Sequence, residues 1–185
     1  IDWEESPPER NYGISLLIGP DGKVKGRYNK IFLIPFGEYI PGAKLFPAYA
    51  NLLRRHIPNM SEFEQGTEYT VFHLSDEIQL SAPICFDIFS PSTVRNMVRN
   101  GAKLAISLSN LAWFGKTTAT DNMEMVVRWK AIENRIPILF TSNNGSSVFI
   151  NALGQNMSER LGLFEQGSIA KTITVQHYFS IYNQY

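Results

Sequence analysis

Ala82-Pro83-Ile84-Cys85-Phe86-Asp87 carries an apolar segment onto the only cysteine of the 185-residue chain and then turns at once to an aromatic and an acidic side chain. The spacing predicts a strand over 78–85 that ends on a thiol, at a point where backbone N–H groups become free. A thiol acts through its thiolate, so Cys85 becomes a nucleophile only if a cation, a base or backbone dipoles lower its pKa from about 8.5. The alternative for a lone cysteine is a small buried hydrophobe. The choice between them rests on the rest of the chain.

Around this stretch the elements alternate. Tyr12 to Ile18 reads as a buried strand closed by Gly19-Pro20-Asp21-Gly22, with a return through Val24 to Tyr28 as a hairpin. A short amphipathic helix is expected from Phe46 to His56, and strands over 70–74 and 78–85 with Ser75-Asp76-Glu77 as the turn between them. Ser90-Pro91 has the form of a helix start that Gly101 ends, and Lys103 to Ser109 follows as a strand. The loop Asn110-Leu111-Ala112-Trp113-Phe114-Gly115 leaves that strand's carboxyl end, where open α/β sheets build sites. A second helix over 120–134, opened by Thr118-Ala119-Thr120-Asp121, leads to strands over 137–142 and 147–151 and a last one over 168–175. The order suits a layered α/β sheet with helices, and no repeat or linker breaks it. One domain over 1–185 is the expectation.

Within 28–41, Lys30 and Glu38 stand among bulky apolar residues. If the stretch is internal, these charges need each other or a site; otherwise both lie on a solvated face. His56 has no second histidine or cysteine at ligand spacing, so no metal site is expected, and His73 reads as structural. Lys plus Arg and Asp plus Glu balance at 17 each, which removes the electrostatic argument for nucleic acid as a partner. No run approaches the roughly 18 apolar residues of a membrane span. The chain does not begin with methionine, which suggests a piece of a longer protein.

Several of these stretches together resemble one family. Tyr28-Asn29-Lys30 with Leu33-Ile34-Pro35-Phe36-Gly37-Glu38-Tyr39-Ile40-Pro41, then Ile84-Cys85-Phe86-Asp87, Ser109-Asn110 with Ala112-Trp113-Phe114-Gly115, and Arg128 to Glu133 leading into Asn143-Asn144-Gly145, are similar to the nitrilase-type domain of bacterial apolipoprotein N-acyltransferase. The run Lys-x-x-Leu-x-Pro-Phe-Gly-Glu-Tyr-x-Pro separates that family from other carbon–nitrogen hydrolases. The resemblance implies an αββα sandwich of the nitrilase superfamily, lacking its N-terminal elements, and a Glu-Lys-Cys catalytic set with no cofactor.

It further implies that Cys85 takes an acyl group from a phospholipid as a thioester and passes it to the N-terminal amine of a diacylglyceryl-cysteine apolipoprotein. Lys30 and the backbone N–H of Phe86 would stabilise the oxyanion, Glu38 would orient Lys30 or the amine, and Asp87 would stand beside the nucleophile. Composition adds Phe32, Phe46, Trp113 and Phe114 as walls of an acyl entrance. The implied setting is the bacterial inner (plasma) membrane with this domain on its periplasmic or outer side, inside a longer membrane protein.

The chain departs from the family at three places. Phe86-Asp87 replaces Tyr-Glu, and Leu111 replaces an aspartate. The general-base glutamate belongs ahead of a helix and strand that should precede Tyr12; Glu5 in Trp3-Glu4-Glu5-Ser6 echoes its context, but too few residues separate it from Tyr12. The base is therefore expected in sequence upstream, and residues 1–185 alone are expected to turn over little. The rival readings are a soluble amidase of the same superfamily and a noncatalytic relic of the fold.

Overall fold

The hairpin at the start of the chain forms as its turn residues require. β1 (Ile14–Ile18) pairs antiparallel with β2 (Val24–Asn29), and the connection closes through Gly22 at φ 73° and a Gly22 N–H to Gly19 carbonyl bond of 2.9 Å. Only glycine adopts that φ without strain. These elements belong to a computed structural model that describes residues 11–56, 62–175 and 179–184.

A five-stranded sheet forms the centre. β3 (Phe72–His73), β4 (Gln79–Ser81), β5 (Leu104–Ser109), β6 (Ile138–Ser142) and β7 (Val148–Ile150) lie in that spatial order; β4, β5 and β6 are parallel and both edges antiparallel. Parallel neighbours need crossover connections. α2 (Thr93–Arg99) makes the one between β4 and β5, and α3 (Ala119–Asn134) the one between β5 and β6. Ala105, Ile138 and Phe140 of the sheet bury against Val94 of α2 and Val127 and Ala131 of α3. On the other side, Leu17 and Tyr28 of the hairpin pack with Phe72, Leu80 and Ile106. The Ser15 hydroxyl ties the two sheets by donating to the Ala82 carbonyl at 3.0 Å. Helices, large sheet and small sheet thus stack as the sandwich expected from the sequence.

Some boundaries differ for local reasons. The strand expected over 78–85 ends at Ser81, resumes only as a single bridge between Ile84 and Leu108, and gives way to a 3₁₀ turn over Cys85–Phe89. The helix expected from Ser90 begins at Thr93; Ser90 Oγ accepts the N–H groups of Ser92 and Thr93 at 3.3 and 3.2 Å, so it caps from one turn earlier. Thr118 makes no side-chain cap on α3. Residues 168–175 form no strand. Ile169, Ile173 and Val175 keep a β-like pattern, but strand propensity becomes a strand only beside a neighbour that completes the ladder. α1 (Pro47–His56) lies in the connection from β2 to β3 and buries only Ala50 among its residues.

Candidate active site

Cys85 opens the 3₁₀ turn with φ 49°, a left-handed conformation for a residue with a Cβ. Such positions cost of order 1–3 kcal/mol and persist where surrounding bonds over-determine them. The bonds here come from Asp87. Its Oδ2 accepts the Ile84 N–H at 2.9 Å, and its own N–H donates to the Ile84 carbonyl at 3.0 Å, closing the turn around the cysteine.

Asp87 also reaches across to the other sheet. Oδ2 accepts the Tyr28 hydroxyl at 2.8 Å and Oδ1 accepts the Phe32 N–H at 2.7 Å, so one carboxylate grips both sides of Lys30. Asp87 and Tyr28 have no exposed surface. Burial pushes the Asp87 carboxyl above its ordinary range against the pull of these donors, and burial with the Asp87 charge pushes the Tyr28 hydroxyl up.

Lys30 follows β2 and is 1 % exposed. Its Nζ donates to Oε1 and Oε2 of Glu38 at 2.6 and 2.7 Å, and Glu38 Oε2 also accepts the Ile34 N–H at 2.9 Å. A buried ammonium is tolerable only with such a partner. The alternation of Tyr28 and Lys30 at period two puts both on the inner face of the hairpin extension. Tyr28 was not singled out from the sequence as part of the site, and that alternation was the signal for it.

The ammonium of Lys30 acts on the Cys85 sulfur, and so do the backbone N–H groups of Asn110 and Phe86, all of which favour thiolate. Burial outweighs them, with the Glu38 charge acting in the same direction as burial, so the thiol pKa is raised. Burial is the largest cause, and the charge of Glu38, paired with Lys30, adds a smaller upward push of its own.

The loop after β5 contributes the Asn110 N–H. Leu111 is 1 % exposed and joins the core, filling with hydrocarbon the place where the resemblance expects a charge. Trp113 is 81 % exposed, whereas Phe114 is half-buried against the core. Phe86 packs its ring 4.8 Å from that of Phe89. Asn143, named from the sequence only within the Asn143-Asn144-Gly145 stretch of the resemblance and given no role there, bonds this loop and is missed by any search for titratable groups. Glu5 lies outside the described residues. Among the described residues no cluster of three His, Cys, Asp or Glu side chains could hold a metal, and no helix is long and apolar enough to cross a membrane.

The family model for carbon–nitrogen hydrolases matches residues 3–179. The chain belongs to the carbon–nitrogen hydrolase family. Within it, the chain is 30% identical over 171 residues to an apolipoprotein N-acyltransferase of Geobacter metallireducens, covering 92% of this chain and 32% of that protein. It is 29% identical to apolipoprotein N-acyltransferase 2 of Treponema denticola, covering 90% of this chain and 32% of that one. The chain thus spans about a third of the length of these curated relatives. The fold is that of the nitrilase superfamily. Saccharomyces cerevisiae Nit3 superposes with a TM-score of 0.61 at 18% identity, over 84% of this chain and 51% of Nit3. An amidase from Nesterenkonia sp. gives 0.61 at 23%, over 85% and 54%.

Proposed function

We propose that this carbon–nitrogen hydrolase domain is an acyltransferase that moves a fatty acyl group from a phospholipid to the N-terminal amine of a diacylglyceryl-cysteine apolipoprotein. The observation that carries the reading is the Lys30–Glu38 pair, its ammonium buried, acting on the sulfur of Cys85. The relatives named as apolipoprotein N-acyltransferases, and the Lys30 to Pro41 run, direct it toward this chemistry rather than amide hydrolysis.

Cys85 attacks the ester carbonyl of the phospholipid, its proton passing to a general base that the resemblance expects upstream of the described residues. The sulfur–carbon bond forms, and charge collects on the carbonyl oxygen. Lys30 Nζ and the Phe86 N–H stabilise that oxygen, and one such donor is worth about 3–4 kcal/mol in a transition state. The ester bond breaks, a lysophospholipid leaves as the protonated alcohol, and the acyl group remains as a thioester. The acceptor amine then attacks the thioester, an amide forms, the amine's proton is lost, and the thiol is restored.

Glu38 holds Lys30 in place through both carboxylate oxygens, and Asp87 keeps the lysine segment and the cysteine turn in register. Phe32, Phe46 and Trp113, which are 39, 64 and 81 % exposed, and the half-buried Phe114 would form apolar walls for the acyl chain. The setting that follows is the periplasmic or outer face of a bacterial inner (plasma) membrane, in a protein longer than this domain.

The test uses the full-length protein with a phospholipid carrying a labelled acyl chain and a diacylglyceryl-cysteine peptide. A hydroxylamine-sensitive label on Cys85, formed with lysophospholipid and passed to the peptide, is the expected result. Transfer that persists in Cys85→Ala overturns the mechanism; a labelled Cys85 that yields only free fatty acid points to a hydrolase, and no label at all to a relic.

A further inference from the structure

We propose that Asn143 is a positioning residue for the nucleophile, its side-chain amide holding the 110–112 loop so that the Asn110 N–H is aimed at the Cys85 sulfur. The inference rests on the reading of Cys85 as the nucleophile and adds a residue that this reading did not contain.

β5 and β6 are parallel neighbours whose last paired residues are Ser109 and Ser142, so Asn110 and Asn143 leave the sheet side by side. Beyond that point the ladder no longer orients the peptides of the 110–112 loop. Asn143 replaces it. Its Oδ1 accepts the Leu111 N–H at 3.0 Å and the Asn144 N–H at 2.9 Å, while its Nδ2 donates to Asn110 Oδ1 at 2.8 Å. Asn110 Oδ1 in turn accepts the Ala112 N–H at 3.2 Å. The N–H groups of Leu111 and Ala112 are thereby fixed by an amide pair, and the N–H of Asn110, the residue just before them, is one of the groups that favour the Cys85 thiolate.

The clamp is itself held. The Asn143 N–H reaches the Ser109 carbonyl at 3.4 Å, and Gly145 closes over Leu111 so tightly that a Cβ there would meet Leu111 Cδ1 at 2.5 Å and Ser142 Oγ at 2.7 Å. Capping its own turn would occupy Asn143 with Asn144 alone. The two bonds to the loop after β5 instead connect β6 to the cysteine. The sulfur then receives a charge from the small sheet, through Lys30 opposed by Glu38, and a fixed dipole from the large sheet through Asn110. A dipole held in place before reaction requires no reorganisation when the anion forms.

The experiment measures alkylation of Cys85 by iodoacetamide against pH in the full-length protein, with modification read by mass spectrometry of the Cys85 peptide. Asn143→Ala is expected to move the midpoint up by about half to one pH unit and to slow alkylation at neutral pH about three- to ten-fold. Asn110→Ala keeps the N–H but removes its anchor; it should shift the midpoint the same way, and the double variant should add little to either single change. It also serves if Asn143→Ala fails to fold. Asn151 is the matched control. It caps a turn remote from the sulfur, accepting the Leu153 and Gln155 N–H groups at 2.9 and 2.9 Å, and Asn151→Ala should lower thermal stability without moving the midpoint. An unchanged midpoint in both Asn143→Ala and Asn110→Ala, or additive shifts in the double variant, overturns the proposal even if labelled acyl is still found on Cys85. Loss of acyl transfer with Cys85 unlabelled by phospholipid overturns the parent reading and leaves this alkylation result standing.

Discussion

The hydroxyl of Tyr28 donates to Asp87 Oδ2 at 2.8 Å across the space between the two sheets, with neither side chain exposed. This bond, with those from the Phe32 and Ile84 N–H groups to the same carboxylate, fixes the lysine segment against the cysteine turn.

Replacing Asp87 by Ala leaves a buried hydroxyl and two N–H groups without their acceptor, and is expected to destabilise by about 3 kcal/mol or more. Chemical denaturation of the variant checks it. Asp87→Asn, which can keep an acceptor, should lose less.

Asp87 also predicts a pH dependence. Burial raises its pKa in the folded chain, so the fold binds that proton more tightly than the unfolded chain does. The stabilisation from the neutral carboxyl is fully present below the ordinary value of 3.8 and is lost as pH rises through the raised folded value. Relative to Asp87→Asn, the native chain should therefore lose stability on going from acid toward neutral pH. A constant difference between the two across that window would contradict it.

The Lys30–Glu38 pair is expected to serve chemistry more than stability. Lys30→Met alone leaves a carboxylate that is 18% exposed without its cation, at a cost of about 3–5 kcal/mol, while Lys30→Met with Glu38→Gln should recover most of that loss. Both variants should be devoid of acyl transfer. Urea melts and the labelled-phospholipid assay read the two effects separately.

The resting thiol of Cys85 is held above the ordinary thiol value, burial being the largest cause. Its alkylation should climb only at pH above that of a free cysteine, and Lys30→Met should push the midpoint higher still, since the ammonium opposes burial. A midpoint below that of free cysteine would show that the cation prevails over burial.

Leu111 stands where the resemblance expects an aspartate, and introducing the charge should fail. Leu111→Asp puts a carboxylate at a position 1 % exposed within the core and against Gly145. A loss of at least about 4 kcal/mol is expected, read as a large drop in Tm. Retention of the native Tm would mean that the core can open to water at this loop.

The linear chain made Cys85, Lys30 and Glu38 candidates, a lone thiol after an apolar run and two charges among bulky hydrocarbons, but it left each a structural alternative, and the resemblance supplied their roles. It was enough for the hairpin at Gly22 and for the helix–strand alternation, since turn chemistry and periodicity act over a few residues. Folding alone decided that Asp87 bonds Tyr28, that Asn143 bonds the loop after β5, and that burial outweighs Lys30 at the sulfur. Those outcomes depend on residues far apart in sequence meeting in a medium poor in water. Neither the partner of a hydrogen bond nor the local dielectric is written in the neighbouring residues.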